Sequence, residues 1–180
     1  MRTLVLVSHP TLDRSKAHAR LVEAVRGLPG VEVRHLESAY PDGRIDVAAE
    51  QAAAVRAERI VFQFPFYWYS TPPMLKRWQD DVLEFGWAYG PGGTKLRGKT
   101  LQVVLSTGGP QSTYHPDGYN RYEVRELLRP LEVTAGLVGM RFADPLILWG
   151  VPNIPGLVVP DDRGPAIAEF AASYRALLAG

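Results

Sequence analysis

Apolar and polar positions along the chain switch repeatedly between two patterns. Thr3 to Val7 (TLVLV) is an unbroken apolar run stopped by Ser8-His9-Pro10, which predicts a strand with both faces buried. From Ser15 onward, Ala17, Leu21, Val22 and Val25 fall on one side of a helix that ends at Gly27 and Pro29. Val31 to Leu36 alternates as a second strand. Asp46 is placed to cap an alanine-rich helix running to Arg56. Arg59 to Phe64 reads as a third strand. Thr71-Pro72 reads as the next helix start, a capping hydroxyl followed by proline, with Leu75, Trp78 and Val82 as its apolar stripe. Leu101 to Leu105 is a fourth strand. Tyr122 to Leu137 is helical but must kink or split at Pro130. A fifth strand is expected within Met140 to Trp149, then a Pro- and Gly-rich loop over Gly150 to Pro160. A terminal helix over Pro165 to Leu178 would pack Ile167, Phe170, Ala171 and Tyr174.

Continuous apolar strands alternating with helices imply a parallel sheet covered on both sides. Five such strands predict a flavodoxin-like three-layer sandwich of the α/β class, with a five-stranded parallel sheet in the order 2-1-3-4-5. Residues 1–180 read as a single domain of that kind, without internal repeats. Ligands of such sheets bind beyond the carboxyl ends of the strands, at the switch point. Three loops lie there: His9–Ala17, Pro65–Thr71 and Thr107–Tyr114.

Composition narrows the function. A net charge of +1 with no run of one sign argues against a nucleic-acid surface, and equally against the acidic field of a one-electron carrier. There are no cysteines, and the four histidines lack ligand spacing, so no metal site is expected. Neither Ser70 nor Ser106 sits in a nucleophile-elbow sequence. The opening MRTLVLVSHP has a shorter apolar run than the roughly 7–15 residues of a secretory signal, leaving the cytoplasm as the expected address.

One motif misleads. Gly93 to Thr100, GTKLRGKT, satisfies the P-loop pattern, but a working P-loop leaves a strand and feeds a helix. Here Lys99-Thr100 leads into a strand, so the lysine should sit at the wrong end of the sheet.

The three loops carry better clues. Ser15 reads either as a plain helix cap, with His9 a surface loop residue, or, with the N–H groups of Lys16, Ala17 and His18, as an anion site at a helix start with His9 as a further donor. Phe66, Tyr67, Trp68 and Tyr69 are consecutive aromatics. In extended chain they alternate faces and cannot all enter one core, so some should line a pocket for a flat ligand. In the third loop Gly108-Gly109 permits close backbone approach, and Tyr114 and His115 offer a donor and a group titrating near neutrality.

At these residues the chain resembles the flavodoxin-like NAD(P)H:quinone oxidoreductase family, closest in look to the ancillary flavoproteins of glutathione-gated potassium-efflux systems. The resemblance runs from VSHPTLDRSKA through FPFYWYSTPPMLKRWQDDVLEFGWAYGPGGTKLRGK to STGGPQSTYHPDG. It implies noncovalent FMN (FAD less so), with phosphate on His9 and the Ser15–His18 turn. The ring would lie along Pro65–Tyr69 and Ser106, Thr107, Gly108 and Gly109. It also implies ping-pong transfer of hydride from NAD(P)H through the flavin to a quinone, with Tyr114 stabilising charge and His115 as a proton-relay candidate. Family members are usually homodimers whose aromatic loop reaches the neighbour's flavin, a role that falls here to Trp87 and Tyr89. A potassium-efflux transporter is the alternative partner, which would hold the protein at the inner face of the membrane. Two positions depart from the family: Asn120 stands where better-known relatives carry a histidine, and His18 where many carry asparagine.

Overall fold

The computed structural model describes residues 1–152 and 163–180. Its strands are β1 (Thr3–Val7), β2 (Val31–His35), β3 (Arg59–Pro65), β4 (Thr100–Ser106), β5 (Arg141–Phe142) and β6 (Leu146–Leu148). All pairings are parallel, in the order β2-β1-β3-β4-β5, with β6 also on β4. The predicted order therefore holds, with a sixth short strand.

The difference lies at the edge. The single fifth strand expected within 140–149 is two pieces that share one sheet position. Between the pairs Leu101↔Phe142 and Val104↔Leu146, β4 supplies Gln102 and Val103 while the edge supplies Ala143, Asp144 and Pro145. One residue is extra, and Pro145 has no N–H for the ladder. Gln102 repairs the break by donating to the Asp144 carbonyl at 2.7 Å.

Helices α1 (Lys16–Val25), α2 (Leu36–Ala39), α3 (Val47–Arg56), α4 (Pro73–Val82), α5 (Val124–Leu127), α6 (Arg129–Leu137) and α7 (Gly164–Ala179) cover the sheet. Leu4, Phe62, Leu75, Trp78 and Val103 form one core, while Val5, Val61, Leu21, Val25 and Tyr174 form the other. Alternate residues of one strand thus enter opposite cores, as a sheet covered on both faces requires. The anticipated caps of α1 and α3 are present: Ser15 accepts from the His18 N–H and Asp46 from the Ala49 N–H, each at 3.0 Å. Pro130 splits its helix at Leu128, as its ring demands. Two local readings need correction. Leu36 leaves β2 to begin α2, a turn the alternating pattern concealed. Thr71 does not cap α4, because the Pro72 carbonyl accepts the first helical bond, from Lys76, and Pro73 is the first helical residue. Of the loop expected over 150–160, residues 153–160 lie outside the described residues.

Lys99 lies immediately before β4, at the amino end of the sheet. Its ammonium bonds the Val55 and Ala57 carbonyls at the end of α3. The P-loop-like stretch is therefore scaffold that ties a strand to a helix carboxyl terminus.

Candidate functional site

A cavity of 430 Å³ opens at the carboxyl ends of β1, β3 and β4, where the switch-point rule places ligands. The three loops named from the sequence converge on it. Its lining includes His9, Ser15, Ala17 and His18 from the first, Pro65 to Tyr69 from the second, and Ser106, Gly108, Gly109 and Tyr114 around the third.

His9 and His18 form the buried wall, their rings tilted at 51° with centroids 5.4 Å apart. His9 Nδ1 accepts from the Thr11 N–H at 3.1 Å, so in the neutral ring the proton sits on Nε2, as a donor. Burial lowers the His9 pKa, with Glu37 opposing, which favours that neutral form. The loop is braced from behind. His35 Nε2 donates to the His9 carbonyl at 2.9 Å, Ser8 donates to Glu37 at 2.7 Å, and His35 pairs with Glu37 at 3.2 Å. His18 is fully buried, and burial, reinforced by His9, pushes its pKa down to about 3. Its Nε2 lies 2.9 Å from Ser106 Oγ, while its Nδ1 is buried without a partner among the described residues. The expected anion cradle is thus narrower than the sequence suggested. The His18 N–H is taken by Ser15, and the exposed Lys16 side chain lies outside the wall.

The opposite wall has a different origin. Tyr67 and Ser70 exchange both backbone hydrogen bonds, at 3.0 and 2.9 Å, and Trp68 and Tyr69 between them have φ of 46° and 63°. This is a two-residue hairpin turn of the primed kind, normally made by Asn-Gly. The extended-chain reason for separating the aromatics was therefore wrong, although the separation is real. Phe66 packs on the core, while Trp68 is 93% exposed at the cavity mouth. Left-handed backbone costs a non-glycine residue roughly 1–2 kcal/mol, and such strain gathers at functional sites.

Tyr114 leans on Trp149 with centroids 5.6 Å apart, and its phenol lines the cavity. Burial first, and Tyr69 second, raise its pKa, so it keeps its proton at neutral pH. His115 is not brought to the cavity: it is exposed, and its Nδ1 accepts from the Asp117 N–H of its own loop. Thr107 is also absent from the wall, its hydroxyl turned to the Gly109 carbonyl at 2.8 Å to shape the glycine turn. Asn120, Thr113, Tyr119, Val151 and Pro152 were not anticipated as lining residues. Asn120 accepts from Tyr69 at 3.1 Å and donates to Thr113 at 2.9 Å, bridging the second and third loops. Its position where relatives carry a histidine was the one available signal. Trp87 and Tyr89 pack on the core and do not line this chain's cavity. Beside them Phe85, edge-on to Tyr89 at 5.7 Å, is 68% exposed. Gly90 permits this, since a Cβ there would strike the Phe85 ring.

The donor set fits a flavin mononucleotide. His9 Nε2–H and the first turn of α1 suit a phosphate, and the aromatic turn and glycine turn suit a flat ring. Among the described residues no helix is long and apolar enough to cross a membrane.

Several known proteins are similar to this chain. The chain is 48% identical over 142 residues to the uncharacterized NAD(P)H oxidoreductase YdeQ of Bacillus subtilis, covering 79% of this chain and 72% of that protein. It is 46% identical over 145 residues to the glutathione-regulated potassium-efflux system ancillary protein KefF of Citrobacter koseri, covering 81% of each. The structure of general stress protein 14 from Treponema denticola, in complex with FMN, superimposes with a TM-score of 0.90 at 35% identity, covering 99% of this chain and 98% of that one. A model of the flavodoxin-like fold matches residues 1–178, and the chain belongs to that family, among relatives named as NAD(P)H oxidoreductases.

Proposed function

We propose that this protein is an FMN-dependent NAD(P)H:quinone oxidoreductase. The observation that carries the reading is the union, in one 430 Å³ cavity, of a histidine-and-helix anion end with an aromatic end open at its mouth. FMN supplies the two-electron carrier chemistry when bound, and the protein supplies binding and orientation. His9 Nε2–H and the first turn of α1 hold the phosphate. Phe66 to Tyr69 and the Gly108-Gly109 backbone flank the ring. Tyr114, kept protonated by its surroundings, donates a hydrogen bond to negative charge developing on the ring or the quinone. The open mouth beside Trp68 admits nicotinamide and quinone in turn, in a ping-pong order. In a two-fold dimer, Trp87, Tyr89 and the exposed Phe85 would close the partner's cavity.

The test begins with the absorbance spectrum of the purified protein and identification of the released cofactor. Steady-state oxidation of NADPH with menadione should give parallel double-reciprocal lines. A protein that takes up no FMN overturns the reading, and intersecting lines overturn the ping-pong order. Sedimentation at micromolar concentration should show a dimer; a monomer would remove the cross-subunit role. The Citrobacter relative's name supports a second reading, docking on a potassium-efflux transporter. Failure to co-purify with such a transporter from cells holding both would discard it.

A further inference from the structure

His18 and Ser106 stand 88 positions apart in sequence, yet their polar atoms meet at 2.9 Å in a buried contact. The bond joins the first turn of α1, at the anion end, to the last residue of β4, where the ring end begins. His18 is also anchored through its backbone, since Gln63 Nε2 donates to the His18 carbonyl at 3.2 Å. The His18 backbone is therefore held on both sides of its Cα, and its ring has one side-chain hydrogen-bond partner among the described residues.

Which way that hydrogen bond runs follows from the other nitrogen. His18 is neutral, so one ring nitrogen is a donor and the other an acceptor. If Nδ1 carried the proton, a buried N–H would be left without an acceptor, because Nδ1 has no partner among the described residues. An orphaned buried donor is the rarer and costlier case. The proton therefore sits on Nε2 and is given to Ser106 Oγ. The Ser106 hydroxyl hydrogen must then point away from the imidazole, and Ser106 lines the cavity.

We propose that His18 is a positioning residue that acts through Ser106: its Nε2–H fixes the Ser106 hydroxyl as a donor into the cavity, and it does not contact the phosphate. The proposal rests on the flavin reading above and adds which part of the ligand His18 serves. The Ser106 donor meets the ribityl and ring portion, which riboflavin shares with FMN.

The test is titration of apo-protein with FMN and with riboflavin, followed by flavin fluorescence. His18→Leu and Ser106→Ala should each weaken both ligands by the same factor, roughly five- to tenfold for one hydrogen bond. The double variant should be no weaker than either single one, because both remove the same donor. His18→Asn keeps an N–H and should restore affinity, whereas His18→Leu should not, at matched melting temperatures. A loss confined to FMN would place His18 on the phosphate and overturn the proposal. Additive losses in the double variant would overturn it as well. A wild-type protein that binds neither flavin would defeat the flavin reading itself. The His18–Ser106 coupling is then read from a double-mutant cycle on thermal unfolding of the apo-protein, where additive shifts would overturn it.

Discussion

Behind the His9 wall, side chains are buried or half-buried and cross-linked: Glu37, His35, Gln63 and Ser106 each bond a histidine or its backbone, and Ser8 holds Glu37. Across the cavity, Trp68 and Tyr69 stand on left-handed backbone, and the Trp68 ring is almost entirely exposed. The first wall is held by its own hydrogen bonds, so binding energy there need not be spent on ordering side chains. The second carries strain and bare aromatic surface, which only a ligand or a second surface can use. The same cavity thus joins a rigid recognition end to an adaptable one. That division suits a resident cofactor held at one end and passing substrates admitted at the other.

Tyr114 lines the same cavity, and its removal should have the largest effect. Tyr114→Phe is expected to lower kcat by roughly a hundredfold, the scale of losing one preorganised donor, with FMN affinity nearly unchanged. Equal turnover in stopped-flow and steady-state assays would take Tyr114 out of the chemistry. Next comes the rigid wall. His9→Ala should weaken FMN by roughly ten- to a hundredfold, the range for a hydrogen bond to a charged group, and should leave riboflavin unaffected. A parallel loss of riboflavin would show that His9 does not mark a phosphate end.

The adaptable wall predicts opposite signs in two measurements. Trp68→Gly relieves left-handed strain at an exposed position, so the apo-protein should gain about 1 kcal/mol in denaturant unfolding. The same change removes stacking surface and should speed FMN release several-fold. Loss of stability would mean that the Trp68 ring packs rather than waits, and the contrast between the walls would fail.

A further contrast concerns pH. His18 has a folded pKa of about 3 against about 6.5 when unfolded. Its neutral state therefore contributes stability fully above pH 6.5, and that contribution is lost as pH falls through the interval toward 3. His9, also lowered, adds in the same direction, while His35, raised by Glu37, opposes it. Unfolding midpoints should accordingly fall on acidification below pH 6.5, and His18→Asn should flatten the slope. An unchanged slope in that variant would mean that His18 is not the buried neutral group.

Much of this was legible before folding. TLVLV is the first strand to the residue, and Ser15 and Asp46 cap the helices they precede. These follow from local rules: apolar run length, side-chain oxygens at helix starts, and the missing N–H of proline. The aromatic run announced a pocket, although for a mistaken geometric reason, because a primed turn built from Trp-Tyr violates the residue preferences of that turn. His115 was drawn in by its chemistry and its place beside Tyr114, and the turn holding its Nδ1 on Asp117 keeps it out. Asn120 was passed over because an amide carries no obvious chemistry until two partners from distant loops engage it.

The sequence by itself therefore determined the layers, the strand order and the end of the sheet at which the cavity opens, since periodicity and connection rules act over short stretches of chain. It also disposed of the P-loop match at Lys99 by noting which element follows it. Only the tertiary structure decided the split edge at Pro145, the left-handed aromatic turn and the pairing of His18 with Ser106. Each depends on which atoms burial brings together across tens of residues. A buried polar atom must find its partner wherever the fold supplies one, and no local pattern encodes that choice.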